Sequence, residues 1–228
     1  MPPSRRLPPW PNQPDSPPPL PAWRLYAIVD TEVCARTGRE PADVARALMA
    51  GGARLLQLRC KTWDSGAFLD LARTVVEDAR AAGATVVVND RADIAVLSGA
   101  HGLHVGQEDL APADARAVIG MQPMLGLSTH TPAQWTAAVG TPVSYLAIGP
   151  VFGSTTKDTG YPAVGLAVVA AASAAAASHG LPVVAIGGIT LDNARSVIDA
   201  GAASVAVISD LLTGDPEARV RAFLRVLD

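Results

Sequence analysis

Cysteine, aromatic residues and charge are all scarce in this sequence. Two of its 228 residues are cysteines, Cys34 and Cys60; this pair indicates neither a disulfide framework nor a four-ligand zinc site, and it fits a reducing cytosol. The formal net charge of −3 argues against a nucleic-acid-binding surface, because such a surface needs clustered positive charge to neutralise phosphates. We therefore expect a cytoplasmic protein with no nucleic-acid partner.

Long apolar runs are also missing. The most apolar stretch, residues 163–178, is rich in alanine and serine and is shorter than the ~20 residues that span a bilayer. Because no continuous apolar core follows Arg5 and Arg6, no secretory signal is expected. These absences predict a chain with no membrane partner, in which residues 163–178 form a helix of a globular domain.

Proline is abundant but unevenly placed, with ten of the 19 prolines in the first 22 residues. Such a segment cannot sustain a helix or a paired strand, so we predict a disordered Pro-rich tail over residues 1–22 and one domain over residues 23–228. A docking motif for a proline-recognising module is the alternative. The composition favours the plain extension, because proline runs carry no more specific information than that.

Beyond the tail, short β-branched runs alternate with longer segments of helical spacing. The predicted strands are Leu25–Val29, Leu55–Leu58, Thr85–Val88, Gly102–Val105, Met124–Leu127, Tyr145–Ile148, Val183–Ile186 and Ser204–Val207. The predicted helices are Pro41–Ala50, Ser65–Ala82, Arg91–Leu97, Pro112–Ile119, Pro132–Val139, Val164–His179, Leu191–Ala200 and Pro216–Leu227. Thr131-Pro132 and Asp215-Pro216 each place a capping residue before a proline, which is a helix start signal.

This alternation predicts an α/β protein that forms a single (β/α)8 TIM barrel. Eight strand–helix units in about 206 residues fit the lower end of the range for that fold. The alternative, a doubly wound open sheet, normally has a Gly-rich nucleotide fingerprint after its first strand. Here Asp30-Thr31-Glu32 follows the first strand, and the barrel is favoured.

Reactive side chains cluster where the strands end, which is where barrel active sites lie. Gln57, Arg59 and Lys61 are spaced i, i+2, i+4, so a strand points all three to one face. If that face is the barrel interior, two cations and an amide converge on a pocket, and Leu56, Leu58 and Cys60 face the helices. An exposed strand extension is the less favoured alternative, because parallel barrel strands are covered on both faces.

Two aspartates, Asp90 and Asp109, follow the third and fourth strands. They could balance the charge of Arg59 and Lys61, or they could bind Mg²⁺, which commonly uses one or two carboxylates plus substrate phosphates. The spacing alone leaves both interpretations open. Glu108 could substitute for Asp109.

Small and hydroxyl-bearing residues after the later strands suit phosphate. The segment 153–157 ends in Lys157 and could hold a phosphate, although it lacks the Walker spacing of a P-loop. Gly187-Gly188 and Ile208-Ser209 follow strands seven and eight, where many barrels hold a phosphate on backbone amides. A tight turn would also explain the paired glycines. His104 and His130 could be general bases but have no recognisable nucleophile partner in the sequence.

The residues therefore predict two anion sites, one suited to a monophosphate and one suited to a diphosphate that departs without an enzyme nucleophile. In order, the motifs are QLRCK (57–61), VND (88–90), GLHVGQED (102–109), GLSTH (126–130), AIGPVFGSTTK (147–157), VVAIGGIT (183–190) and VISD (207–210). Together they closely resemble the thiamine-phosphate synthase family over residues 25–228.

The resemblance implies a transferase that joins hydroxymethylpyrimidine diphosphate to a thiazole phosphate, or to its carboxylated form, releasing diphosphate. The family mechanism is dissociative and Mg²⁺-assisted: diphosphate leaves first, and the thiazole nitrogen captures the resulting pyrimidine carbocation. The residues that inherit catalytic roles are Arg59, Lys61, Ser128 and Lys157.

The same resemblance assigns contacts residue by residue. The pyrimidine diphosphate would contact Gln57, Leu58, Arg59, Cys60, Lys61, Asn89, Ser128 and Lys157; the thiazole phosphate would contact Ser154, Thr155, Thr156, Gly188, Ile208 and Ser209; Mg²⁺ would bind Asp90 and Asp109. Many relatives have an acidic residue at the position of Cys60. The Pro-rich tail inherits no role, and the oligomeric state is not predicted.

Two other functions compete with this one. A thiazole tautomerase shares the barrel but tends to lack the diphosphate-side residues, which this chain retains together. A non-catalytic barrel that senses thiazole phosphate would bind its ligand without Mg²⁺-dependent release of diphosphate.

Overall fold

Eight parallel strands form a closed barrel in the computed structural model, which describes residues 17–153 and 161–228. The strands are β1 (Leu25–Asp30), β2 (Leu55–Arg59), β3 (Thr85–Asn89), β4 (Gly102–Val105), β5 (Met124–Thr129), β6 (Tyr145–Ile148), β7 (Val183–Ile186) and β8 (Ser204–Val207). Each strand pairs with the next, and β8 pairs with β1 to close the sheet. The predicted (β/α)8 barrel is confirmed.

Helices follow the strands and surround the barrel. They are α1 (Thr31–Arg36), α2 (Pro41–Ala50), α3 (Ser65–Ala82), α4 (Ala92–Ser98), α5 (Pro112–Ile119), α6 (Pro132–Ala138), α7 (Gly165–Ala177), α8 (Ala194–Asp199) and α9 (Pro216–Leu227), with a short 3₁₀ helix at Ser209–Leu212. The sequence did not predict α1 or the 3₁₀ helix. Among the described residues, no helix has the length and apolar character that a membrane span requires.

Local capping chemistry explains where several helices begin. The Thr131 side chain and Gln134 form a reciprocal capping box at the start of α6, and Asp215 accepts backbone N–H bonds at the start of α9. Asp30 caps α1 in the same way. The sequence did not predict this cap, because Asp30 is also the last residue of β1. Thr131 and Asp215 confirm the predicted helix starts.

Side chains of the strands divide between two cores. One core fills the layer between strands and helices and includes Leu56, Leu58 and Cys60. The other fills the barrel interior and includes Leu55 from the opposite face of β2. The predicted orientation is thus confirmed for Leu56, Leu58 and Cys60, because alternate residues point to opposite faces of a strand, whereas Lys61 lies beyond the end of β2 and outside the strand pattern.

The tail residues nearest the barrel are not all solvent-exposed. Leu20 is 8% exposed and belongs to the interior core, with the half-buried Trp23 packed against that core. Residues 17–22 have no helix or strand, and residues 1–16 lie outside the described part of the chain. The division at residue 22 stays a prediction, but Leu20 packs with the barrel.

Candidate active site

A cavity of about 360 Å³ opens among the carboxyl ends of the strands. Its lining includes strand residues such as Gln57, Arg59, Asn89 and Ser128, together with Gly188 and Ile208 from the turns after β7 and β8. This is the end of the barrel at which (β/α)8 enzymes place their chemistry. The location agrees with the clustering of reactive residues after the predicted strands.

The charged side of the cavity is built on Arg59. Its guanidinium donates to Asp30 Oδ2 at 2.5 Å, and both side chains are largely buried. The other carboxylate oxygen of Asp30 accepts from the backbone N–H groups of Glu32 and Val33, each at 3.0 Å. The start of helix α1 therefore holds Asp30, and Asp30 in turn fixes the position of Arg59. Sequence reasoning missed this residue, although a carboxylate between a strand and a helix start could have revealed it.

Lys61 and two aspartates, Asp90 and Asp109, lie within four residues of the ends of β2, β3 and β4. The Lys61 ammonium donates to Asp90, and the Asp109 carboxyl lies close enough to Asp90 to affect its pKa. Burial raises the pKa of Asp90, and Asp109 raises it further, while Lys61 acts to lower it. Two adjacent carboxyls of this kind suit a divalent cation, which would favour the ionised form of both.

Backbone geometry at this edge is unusual. Asp90 has φ of 61°, the one positive value among the described non-glycine residues. Strain of this kind concentrates at functional sites, where the surrounding structure holds it. Asp109 accepts from the Gly106 N–H at 2.8 Å, and the Gln107 side chain donates to the Ser128 carbonyl at 2.6 Å. The loop after β4 is therefore tied to β5. Glu108, the predicted substitute for Asp109, is solvent-exposed.

The opposite side of the cavity consists of turns. Gly187 and Gly188 have φ of +102° and +63°, which glycine adopts without strain. The Asn193 amide donates to the Gly188 carbonyl at 3.0 Å, so this peptide has a fixed orientation. Ile208 and Ser209 begin the 3₁₀ helix, and both line the cavity. Backbone N–H groups at such turns can bind an anion.

The floor of the cavity carries a polar network that the sequence did not reveal. His104 contacts Ser128 Oγ through Nε2 and Tyr145 Oη through Nδ1, each at 2.9 Å. Tyr145 in turn contacts Tyr26, which accepts from Gln57. Two partners of His104 are therefore hydroxyl groups brought together by the barrel, and no local motif could have shown them.

His130, the other predicted general base, has a different environment. Its Nδ1 atom lies 2.6 Å from the Gly149 carbonyl, and its ring stacks on Tyr161 at 4.1 Å between centroids. A carbonyl only accepts, so Nδ1 of His130 carries a proton. His130 lines the cavity as a packed side chain with a fixed tautomer.

The predicted site residues separate into four groups. Those that line the cavity are Gln57, Arg59, Asn89, Ser128, Gly188, Ile208 and Ser209. Lys61, Asp90 and Asp109 follow the strands next to this lining. The side chains of Leu58 and Cys60 are buried against the helices, so any contact from them to a ligand would have to come from the backbone. Ser154, Thr155, Thr156 and Lys157 lie outside the described residues.

The fold and the site together are those of a (β/α)8-barrel enzyme, with Arg59 and the adjacent Lys61–Asp90 ion pair on one side of the cavity and glycine-containing turns on another. Comparisons with known proteins agree with this class. The family described as thiamine monophosphate synthase matches residues 25–211.

Individual relatives agree with the family match. The thiamine-phosphate synthase of Koribacter versatilis is 46% identical, covering 90% of this chain and 95% of the relative. That of Laribacter hongkongensis is 42% identical, covering 87% and 92%. The solved thiamine phosphate pyrophosphorylase of Pyrococcus furiosus superposes with a TM-score of 0.81 at 28% identity, over 90% of this chain and 96% of that one. The chain belongs to the thiamine-phosphate synthase family.

Proposed function

We propose that the protein is a thiamine-phosphate synthase, a transferase that joins hydroxymethylpyrimidine diphosphate to a thiazole phosphate, carboxylated or not, and releases diphosphate. The observation that carries the proposal is the arrangement of groups around one cavity, with Arg59 and the adjacent Lys61–Asp90 ion pair after β2 and β3, and the turns at Gly188 and Ile208 after β7 and β8. Family membership supports the same reaction. Both substrates are small molecules, and no nucleic-acid or membrane partner is proposed.

The pyrimidine diphosphate would bind on the side of β2 and β3. Arg59 is positioned by its ion pair with Asp30, and Lys61 by its ion pair with Asp90. These two cations would bind the phosphate oxygens. Gln57, Asn89 and Ser128 line the adjoining wall and present neutral polar groups to the ring. Lys157, which lies outside the described residues, is proposed to contact the leaving diphosphate.

Asp90 and Asp109 would hold Mg²⁺. The described residues contain no cluster of three or more metal-binding side chains, so the protein would supply these two carboxylates and the substrate would supply phosphate oxygens. When bound, Mg²⁺ supplies positive charge that stabilises the diphosphate as its negative charge grows. The hydrogen bond from Lys61 already holds the Asp90 carboxyl at this edge.

The thiazole phosphate would bind on the opposite side. The turn at Gly188 and the start of the 3₁₀ helix at Ile208 and Ser209 provide backbone N–H groups that suit a monophosphate. The Gly188 peptide is already oriented by Asn193. Ser154, Thr155 and Thr156 are proposed to complete this site.

The residues fit a dissociative reaction. The carbon–oxygen bond to diphosphate breaks, its electron pair leaves with the diphosphate, and the thiazole nitrogen then donates its lone pair to the carbocation. No enzyme nucleophile is required, and Cys60 faces away from the cavity. Arg59 and Lys61 stabilise the charge of the departing group, which is greater in the transition state than in the bound substrate. The proposed compartment is the cytoplasm, and the free thiols Cys34 and Cys60 support it.

The test is a reaction with both substrates and Mg²⁺ in which thiamine phosphate and diphosphate are followed together. Equal amounts of the two products are expected, and omission of either substrate or of Mg²⁺ should abolish both. Binding of thiazole phosphate without turnover would instead indicate a sensor. Isomerisation of a thiazole substrate without condensation would indicate a tautomerase.

A further inference from the structure

A continuous chain of hydrogen bonds crosses the floor of the cavity. It runs from Gln57 through Tyr26, Tyr145 and His104 to Ser128, and each step measures 2.9–3.0 Å between donor and acceptor atoms. Gln57, Tyr26, His104 and Ser128 line the cavity, whereas Tyr145 is fully buried beneath it. The proposed function gives no role to either tyrosine.

The chain has a direction, which begins at Gln57. Its Nε2 group can only donate, so Tyr26 Oη accepts from it. The Tyr26 hydroxyl then gives its proton to Tyr145 Oη, because a buried hydroxyl proton without an acceptor is costly. Burial raises the pKa of both tyrosines, so both keep their protons. Tyr145 in turn donates to Nδ1 of His104.

This direction fixes the protonation of His104. An imidazole whose Nδ1 accepts a hydrogen bond is neutral and carries its proton on Nε2. The Nε2–H group therefore donates to Ser128 Oγ, and the Ser128 hydroxyl proton is left to be donated into the cavity. We propose that Tyr145 is a positioning residue that holds His104 in the Nε2–H tautomer and thereby makes Ser128 a hydrogen-bond donor toward the substrate.

The local fold reserves space for this arrangement. Gly126 on β5 pairs with His104 on one side and with Tyr145 on the other. A Cβ atom at Gly126 would collide with the Tyr145 ring and would lie 2.5 Å from His104 Nδ1. The two rings stack with centroids 5.6 Å apart and an interplanar angle of 22°. A glycine at this one position allows the Tyr145 hydroxyl to reach the imidazole.

The direct test is ¹⁵N NMR of the imidazole rings in the intact protein, with the His104 signals assigned by comparison with His104→Asn. Wild-type His104 is expected to show a protonated Nε2 and an unprotonated Nδ1. In Tyr145→Phe the ring remains but the donor to Nδ1 is gone, so His104 should show a mixture of both neutral tautomers. A wild-type ring protonated at Nδ1 would overturn the proposal without recourse to any variant.

Kinetics test the consequence at Ser128, and this part depends on the proposed function for its substrate. Tyr145→Phe should lower kcat about three- to tenfold, comparable to the loss of one oriented hydrogen bond, and should leave KM for thiazole phosphate unchanged. A tautomer mixture with normal kcat would overturn the role assigned to Ser128. If the wild type makes no thiamine phosphate at all, the proposed function fails, while the NMR result still decides the tautomer.

Thr129→Val is the matched control. Thr129 lies beside Ser128 on β5, is fully buried, and donates to the Ala147 carbonyl at 3.2 Å. Its side chain does not line the cavity, and removal of its hydroxyl group breaks none of the hydrogen bonds between Gln57 and Ser128. The variant should be less stable, with the wild-type His104 spectrum and near wild-type kcat. If Thr129→Val also showed a tautomer mixture, the mixture would result from the loss of stability and not from the loss of the Tyr145 hydroxyl group.

Discussion

Three carboxylates at strand ends show how residues of one type take different roles in this barrel. Asp30 is buried, fully hydrogen-bonded and paired with Arg59. Asp90 is strained, and its pKa is raised by burial and by Asp109. Asp210 accepts from the Leu191 N–H and pairs with Arg219, which ties the 3₁₀ helix to the turn after β7. Asp30 and Asp210 thus hold other groups in place, whereas Asp90 is the proposed ligand of Mg²⁺.

Asp30→Asn tests the positioning of Arg59. Asparagine is also a good helix cap, so α1 should persist, but Arg59 loses its charged partner inside a mostly buried site. We expect the variant to be destabilised by about 1–3 kcal/mol and to have a raised KM for the pyrimidine diphosphate. Urea unfolding and steady-state kinetics measure the two effects. Asp43→Asn, which breaks an exposed pair with Arg46, is the control and should change neither. Normal kinetics in Asp30→Asn would contradict the role.

Asp90→Asn and Asp109→Asn test the proposed metal site. Each change keeps the side-chain shape but removes a negative charge, so more Mg²⁺ should be required for half-maximal rate and kcat should fall. Titration of the rate with Mg²⁺ provides the measurement, and Glu108→Gln on the exposed neighbouring residue provides the control. Normal Mg²⁺ dependence in both aspartate variants would show that the metal binds elsewhere.

Among the elements, the loop after β6 and the turn after β7 support each other. The Val151 and Phe152 N–H groups donate to the carbonyls of Ile186 and Gly187. A Cβ atom on Gly188 would lie 2.5 Å from the Gly153 carbonyl oxygen and 2.8 Å from the Phe152 Cβ. Close packing of the two backbones therefore requires glycine at residue 188, in addition to its positive φ.

Gly188→Ala should disturb both backbones. The left-handed conformation costs an alanine about 1–2 kcal/mol, and the contact with Gly153 adds to that loss. Displacement of the turn should also raise KM for thiazole phosphate while kcat changes little, because the phosphate keeps its charge during bond formation. Thermal unfolding and kinetics with varied thiazole phosphate provide the test.

Gly180→Ala is the matched control for that experiment. Gly180 has φ of +67°, close to that of Gly188, but a Cβ atom there meets no atom within 4 Å. It should show the conformational cost alone, with normal KM. Equal stability losses and equal KM values in the two variants would show that the packing against residues 152–153 has no functional importance.

At the scale of the whole molecule, the barrel is closed at one end and open at the other. Tyr26, Leu55, Val87 and Met124 fill the interior with aromatic and aliphatic side chains, and Leu20 from the tail joins them. Tyr26 also belongs to the polar chain and lines the cavity, so the interior packing and the floor of the cavity share side chains.

Leu20→Ala tests whether the end of the tail belongs to the domain. Removal of a buried leucine side chain should destabilise the protein by about 2–3 kcal/mol and leave kcat unchanged, because Leu20 does not line the cavity. Leu97→Ala, on the exposed side of α4, should change stability by no more than about 0.5 kcal/mol. A stability in Leu20→Ala equal to that of Leu97→Ala would contradict the packing role.

Truncation tests the tail at the same scale. Deletion of residues 1–16 should preserve stability and turnover. Deletion of residues 1–22 should preserve turnover at low temperature but lower Tm, because it removes Leu20. Loss of activity in a well-folded protein that starts at Pro17 would show that the Pro-rich segment contributes to chemistry.

Much of the architecture follows from sequence alone, because it rests on local periodicity. Strands such as Gly102–Val105 and helices such as Ser65–Ala82 have the predicted bounds. The i, i+2 spacing of Gln57 and Arg59 placed both side chains on the cavity side of β2, since alternation along a strand is a property of the backbone. Helix α1 was not predicted, because its capping residue Asp30 is also the last residue of β1.

Only the tertiary structure decided which distant residues meet. Asp30 pairs with Arg59 because β1 and β2 are neighbouring strands, whereas Tyr145 on β6 reaches His104 on β4 and Tyr26 on β1 through the interior of the closed barrel. Burial then sets their chemistry, since a hydrogen bond that is weak in water is decisive where no water competes. The sequence determined which faces the side chains occupy; closure of the barrel determined their partners and hence which atom carries each proton.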